Sequence, residues 1–303
     1  LDGLPYKLHD FGSRAATCPQ GAMIGSLSHM MLFMGSDTGI AVRAARYFYG
    51  EKMPAYSIPA SEHGTMTPWI NMPKGGEVQA YQHMINKYKN KPIFACVSDS
   101  IDIENAVTNI WGGVLKDQVM AMDATLVIRP DSGDPIIWLP KLLNIMADKF
   151  GYTINSKGYK VINKVRLIQG DGVTFDSLPI MIKAILDAEF SLDNVAFGMG
   201  GGLIQHVNRD TLGFAMKVCY MNINGDQVRV FKSPVTDAGK KSKSGVLRLY
   251  KSELTGEVIE VDHLEVEEVD TEFNQMFVYL YDMKPGDNEP TFAVTTMAEI
   301  RER

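Results

Sequence analysis

Cysteine is scarce in this chain. Three residues, Cys18, Cys96 and Cys219, stand far apart, odd in number and without a C-x-x-C pair. That excludes a disulfide framework, offers no zinc-ligand spacing, and fits a reducing, cytoplasmic setting. An excess of positive charge is also lacking: 30 Lys and Arg stand against 36 Asp and Glu, a formal charge of -6. Wholesale binding of nucleic acid or an anionic membrane surface needs a clustered positive field, so neither is expected. Long apolar runs are missing as well. The most apolar early stretch, residues 21–35, is broken by Ser26, Ser28 and His29, is too short to span a bilayer, and follows no basic segment.

What remains is enough for a buried core. The 303 residues are 45% hydrophobic and 22% charged, which rules out disorder and allows one large domain or two. Between residues 22 and 205, short β-branched runs alternate with helix-length segments. Strands are expected at 92–97, 124–129, 164–169 and 194–197, and helices at 79–88, 103–111, 136–150 and 175–190. This alternation implies parallel βαβ units, hence a barrel or a doubly wound sheet. After residue 209 the texture changes to strand-like runs at 214–222, 227–231, 246–250 and 277–281, separated by Asn224-Gly225 and Thr255-Gly256. That pattern reads as a smaller antiparallel unit.

The expected strands end in polar or glycine-rich turns, and ligands of α/β folds bind at the carboxyl ends of strands. Asp99, Asp131 and Asp171 each follow such a strand. There a carboxylate can hold ribose hydroxyls or a magnesium ion beside phosphates; a turn or N-cap role is the alternative. Gly200-Gly201-Gly202 and Gly170-Asp171-Gly172 suit a phosphate cradle of backbone amides, against a plain turn. Arg14, Arg129 and Arg209 lie beside these elements and suit phosphate or a flat ring, against surface ion pairs. His63, in PASEHGT, reads as a base, a ligand, a phosphorylated nucleophile or a structural histidine. The run Met30–Met34 reads as core.

Several strings occur in an order that matters: LHDFGSR (8–14), PASEHGT (59–65), VSDSIDI (97–103), IRPDSGDP (128–135), NSKGYK (155–160), IQGDGV (168–173), FGMGGGLIQ (197–205) and FKSP (231–234). Together they resemble the nicotinamide phosphoribosyltransferases over nearly the whole chain. The resemblance implies an irregular α/β barrel of the type II phosphoribosyltransferase kind, with a second, smaller and mostly antiparallel α/β domain. Residues 1–208 would form the barrel. Residues 209–303 would be the C-terminal part of the second domain, normally completed by an N-terminal region with no counterpart here; the expectation is a C-terminal portion of a larger product or a separate partner segment.

The implied activity joins nicotinamide to 5-phosphoribosyl pyrophosphate (PRPP), giving nicotinamide mononucleotide and pyrophosphate in a homodimer with shared sites. Magnesium is the implied cofactor, and ATP the co-substrate, hydrolysed through a phosphohistidine at His63. By the same resemblance Phe11 stacks on the pyridine, Arg129 lies nearby, and Asp37 accepts from the carboxamide, repelling nicotinate. Asp131 and Asp171 would bind ribose, and Asp99 and Asp131 would adjoin magnesium and pyrophosphate. Gly170, Gly200 and Gly201 would cradle the 5′-phosphate, joined across the dimer by Arg209 and Lys217. Arg14 and Lys232 would meet pyrophosphate and ATP phosphates. Ala215 and Ser13 depart from the vertebrate pattern of Ser and Tyr. The alternatives are a nicotinate phosphoribosyltransferase, or a non-catalytic interaction protein on this fold.

Overall fold

The computed structural model describes residues 3–73, 75–206, 217–233, 241–275, 281–282, 291–292 and 296–302. Its central feature is a six-stranded, all-parallel sheet. The strands are β1 (Leu8–Asp10), β2 (Gly35–Ser36), β3 (Ile93–Val97) and β4 (Thr125–Arg129). A small antiparallel hairpin, β5 (Tyr152–Ile154) and β6 (Lys160–Ile162), then precedes β7 (Val165–Gln169) and β8 (Val195–Met199). Spatial order in the sheet is β2-β1-β8-β7-β4-β3. The segment from Pro54 to Ser61 bridges both edges: Tyr56 pairs with Gly35 beside β2, and Ala60 with Ala95 of β3. The curled sheet is thereby joined edge to edge through irregular chain, and the α/β barrel expectation holds.

Local sequence explains these elements. Phe94, Cys96, Val97, Leu126, Ile128 and Leu167 are all fully buried, because helices cover one face of the strands and the barrel interior the other. Helix Pro135–Phe150 starts at Asp134, whose side chain accepts from Ile136 N at 2.9 Å, and ends at Gly151. Its Leu139, Leu142, Leu143, Met146 and Phe150 recur at helical spacing and all face the core. The helix expected at 103–111 is α-helical only over Ile103–Asn105 and continues as a π-helix, Ala106–Val114. That widened turn seats Trp111 against Tyr81, ring centroids 4.5 Å apart, with its indole N–H on Ser98 Oγ at 3.0 Å.

Of the apolar run at 30–34, Met30 is fully buried while Leu32 is exposed, because helix Pro19–Met30 ends there and the chain turns outward.

Two compact units are distinguished, residues 1–208 with 296–303, and residues 209–295. In the second, strands Tyr220–Ile223 and Asp226–Arg229 form a hairpin over Asn224-Gly225, whose φ values of 54° and 99° suit the mirror-image turn that matches strand twist. Strand Leu247–Ser252 pairs antiparallel with Val258–Asp262 and Phe273–Gln275. The expectation from sequence placed residues 209–303 in this unit. Helix Met297–Glu302 instead packs on the larger one: Met297 is buried with Met30, Ala41 and Ala45, and Arg301 donates to Met30 O at 2.7 Å.

Asn194, fully buried, joins the hairpin to the sheet. Its Oδ1 accepts from Ile162 N at 2.8 Å, and its Nδ2 donates to Lys160 O and Ser191 O, each at 2.8 Å. Asn194→Ala orphans the Ile162 amide and removes one of two hydrogen bonds at each of the Lys160 and Ser191 carbonyls, and is expected to destabilise the protein by about 3 kcal/mol. Urea unfolding measures this, and a loss comparable with an exposed-residue control would contradict it.

Candidate active site

The carboxyl ends of the strands carry the chemistry. β1 delivers Phe11, β3 Asp99, β4 Arg129 and Asp131, β7 Gly170 and Asp171, and β8 the run Gly198 to Gly202. The bridging segment reaches the same rim because Ser61 N donates to Ala95 O at 3.1 Å and Val97 N to Ser61 Oγ at 3.0 Å. Glu62 and His63 follow at once. Helix His63–Asn71 opens with Thr65 Oγ1 accepting from Glu62 N at 3.1 Å, which sets the backbone from which both side chains project.

Asp99 is the anchor, with a side chain only 4% exposed. Its Oδ1 meets His63 Nε2 at 2.9 Å, and its Oδ2 accepts from Asp131 N at 3.1 Å and Ser132 Oγ at 2.6 Å. A carboxylate only accepts, so the proton of the first bond belongs to His63 Nε2; in the neutral imidazole the lone pair is then on Nδ1. That nitrogen lies 3.8 Å from Asp131 Oδ2.

Arg129 is buried and held by two carboxylates: Nη1 donates to Glu62 Oε1 at 2.9 Å, and Nη2 to Asp131 Oδ2 at 3.2 Å. Burial opposes the charged guanidinium, but the hydrogen bond to Glu62 and the charge of Asp131 outweigh it and raise its pKa. Its Nε is buried with no partner among the described residues. The guanidinium carbon lies 5.9 Å from the centroid of the Phe11 ring.

The Phe11 ring lies near both Arg129 and His9, whose ring centroid is 5.0 Å away. The ring occupies the space a Cβ would fill at Gly198, while a Cβ at Gly170 would lie 3.2 Å from Phe11 Cε2 and 3.7 Å from Asp131 Oδ1. Ring, glycine and carboxylate therefore share one place. The loop is pinned by fully buried Asp10, whose oxygens accept from Gly12 N and Ser36 Oγ, each at 2.7 Å. Beside it, Gly201–Ile204 forms a single helical turn, with Ile204 packed where Gly12 and Gly25 lack side chains.

Phe11, His63, Asp99, Arg129, Asp131, Gly170 and the Gly200 turn thus adjoin one another. Asp37 joins them through His9, which bonds it at 3.0 Å. Arg14 is exposed on the turn Gly12–Ala15, and Asp171 is exposed, with only its backbone carbonyl held, by Gln169 Nε2 at 2.7 Å. Lys217 and Lys232 belong to the smaller unit, Lys217 Nζ lying 3.5 Å from Ser242 Oγ. Arg209 and Ala215 lie outside the described residues. Among the described residues no three His, Cys, Asp or Glu side chains gather around a possible metal position. Cys96 is a core residue, its thiol pushed up to about 12 by burial.

Sequence reasoning did not single out Glu62, Ser132, His9, Ser57 or Gly198. Glu62 adjoins His63, and Gly198 opens a glycine-rich run, but the partners of both lie far away in the chain. Gly198→Ala is expected to destabilise by about 2 kcal/mol through overpacking against Phe11. The same substitution in a Phe11→Ala background is expected to be nearly neutral. Equal losses in both backgrounds, measured by urea unfolding, would show that the ring is not what the glycine accommodates.

Comparison with known proteins follows the same lines. The family model described as "Nicotinate phosphoribosyltransferase (NAPRTase) family" matches residues 6–277. The chain is 44% identical over 255 residues to the nicotinamide phosphoribosyltransferase of Xanthomonas campestris pv. campestris, covering 84% of this chain and 54% of that protein. It is 32% identical over 255 residues to that of Mycoplasma genitalium, covering 79% and 53%, and 28% over 275 to that of Acinetobacter baylyi, covering 84% and 54%. The chain spans about half the length of the curated relatives it matches. No helix among the described residues is long and apolar enough to cross a membrane.

Proposed function

Because the chain belongs to the nicotinate phosphoribosyltransferase family, we propose that the full-length protein carrying it joins nicotinamide to PRPP, as a cytoplasmic homodimer in NAD salvage. The observation that carries this reading is the rim, where an aromatic ring flanked by a buried guanidinium adjoins Asp131, Gly170 and His63. The pyridine nitrogen attacks C1′ of PRPP, and the C1′–O bond breaks with its electron pair leaving on pyrophosphate. No proton has to move. The site must therefore orient two reactants and balance charge, which suits a rim with cations and carboxylates but no dedicated base.

In this reading Phe11 takes the ring face beside Arg129, and Asp37 accepts from the carboxamide. Asp131 and Asp171 hold the ribose hydroxyls. Backbone at Gly170, Gly200 and Gly201 cradles the 5′-phosphate with Arg209 and Lys217 across the dimer, and Arg14 and Lys232 meet the pyrophosphate and ATP phosphates. Magnesium fits at Asp131, whose Oδ1 has no protein partner among the described residues; Asp99, with both oxygens engaged, fits behind it. When bound with the substrate phosphates, the ion supplies charge neutralisation for the leaving group.

His63 is the residue proposed to take the γ-phosphoryl of ATP. The N–P bond forms at Nδ1 as the terminal P–O bond breaks and ADP leaves, and water later releases phosphate. Asp99 holding Nε2 supports this choice of nitrogen.

The family's name favours nicotinate as a second reading. Asp37 weighs against it. Burial raises its pKa, but hydrogen bonds from His9 and Ser57 outweigh burial and hold it below the usual carboxylate range, so nicotinate would meet a like charge.

Assays of the full-length protein with PRPP and either nicotinamide or nicotinate are expected to yield mononucleotide from nicotinamide. Product from nicotinate alone would overturn the substrate assignment, and product from neither would favour a non-catalytic role. His63→Ala is expected to abolish stimulation by ATP while sparing the basal reaction; undiminished stimulation would remove the phosphohistidine from the scheme.

A further inference from the structure

Asp37 receives its hydrogen bonds unevenly. Ser57 Oγ donates to Oδ1 at 2.6 Å, and His9 Nε2 meets the same oxygen at 3.0 Å. Since the carboxylate only accepts, His9 carries its proton on Nε2. Among the described residues no donor reaches Oδ2. Two donors on one oxygen fix the rotation of the group and leave the other oxygen presented outward, with the side chain 47% exposed.

The three residues come from separate elements: His9 from β1, Asp37 from the turn after β2, and Ser57 from the bridging segment. Their meeting depends on sheet register, in which His9 lies opposite Gly35. A Cβ at Gly35 would fall 2.6 Å from His9 Nδ1, so glycine is what lets the imidazole lie there. The same imidazole lies 5.0 Å from the Phe11 ring, centroid to centroid, so His9 neighbours both the ring and Asp37.

We propose that His9 and Ser57 are positioning residues that set the preference for carboxamide over carboxylate by loading Asp37 Oδ1 and presenting Oδ2 to the substrate's amide N–H. The proposal rests on the reading above that Asp37 faces the ring substituent. A held carboxylate offers a directed acceptor to an amide and a like charge to an acid; a freely rotating one does neither well.

The test is kcat/KM for nicotinamide and for nicotinate in the full-length protein and its Ser57→Ala, His9→Phe, His9→Gln and Asp37→Ala variants. Ser57→Ala and His9→Phe are each expected to lower the nicotinamide-over-nicotinate ratio about tenfold, the loss of one hydrogen bond to a charged group, with KM for PRPP unchanged. His9→Gln, whose amide can still donate, is expected to restore most of the ratio. Ser57→Ala removes one hydroxyl at an exposed site, so it remains informative should His9→Phe fold poorly. An unchanged ratio in Ser57→Ala and in any folded His9→Phe, with a collapsed ratio in Asp37→Ala, would overturn this proposal and leave the underlying reading intact. An unchanged ratio in Asp37→Ala would overturn both.

Discussion

A buried guanidinium cannot be left alone, and the rim of this sheet is organised around that constraint. Arg129 leaves water at the end of β4 and is balanced by Glu62 from the bridging segment and Asp131 from its own strand end. The Asp131 amide in turn donates to Asp99 at the end of β3, and Asp99 holds His63 at the start of the neighbouring helix. One connected set of charges thus ties two strand ends and a helix start into a fixed arrangement. The partners are not interchangeable, since removing any one leaves another desolvated and unbalanced.

The same rim is shaped by what its glycines leave out. Phe11 rests on β8 only because Gly198 has no side chain, and Gly170 leaves room between the ring and Asp131. Buried Asp10 then holds the loop after β1 to the end of β2. An apolar ring face, a cationic edge and a carboxylate rim are thereby held together by the chain itself, which is the preorganisation the proposed transfer would require.

Much of the larger unit was legible in the sequence because burial on both faces of a parallel sheet leaves continuous apolar runs. β3, β4, β7 and β8 all began within one residue of their expected positions. β1 and β2, three and two residues long, carry no readable period, and their place in the sheet follows from partners elsewhere. Helix Pro19–Met30 is interrupted by glycines and serines that blur its apolar face. The Asn224-Gly225 turn was legible because few residue pairs tolerate two positive φ values. Among site residues, the acids after strands could be placed from local punctuation. Glu62 with Arg129, or His9 and Ser57 with Asp37, could not, because their pairing exists only once the barrel has curled.

Asp99 holds His63 through Nε2, and Nδ1 is the nitrogen proposed above to take the phosphoryl group. Nitrogen-15 NMR of the histidine rings reports the tautomer directly. The account predicts that neutral His63 is protonated on Nε2 and that Asp99→Asn disturbs this preference. A proton on Nδ1 in the unsubstituted protein would contradict it.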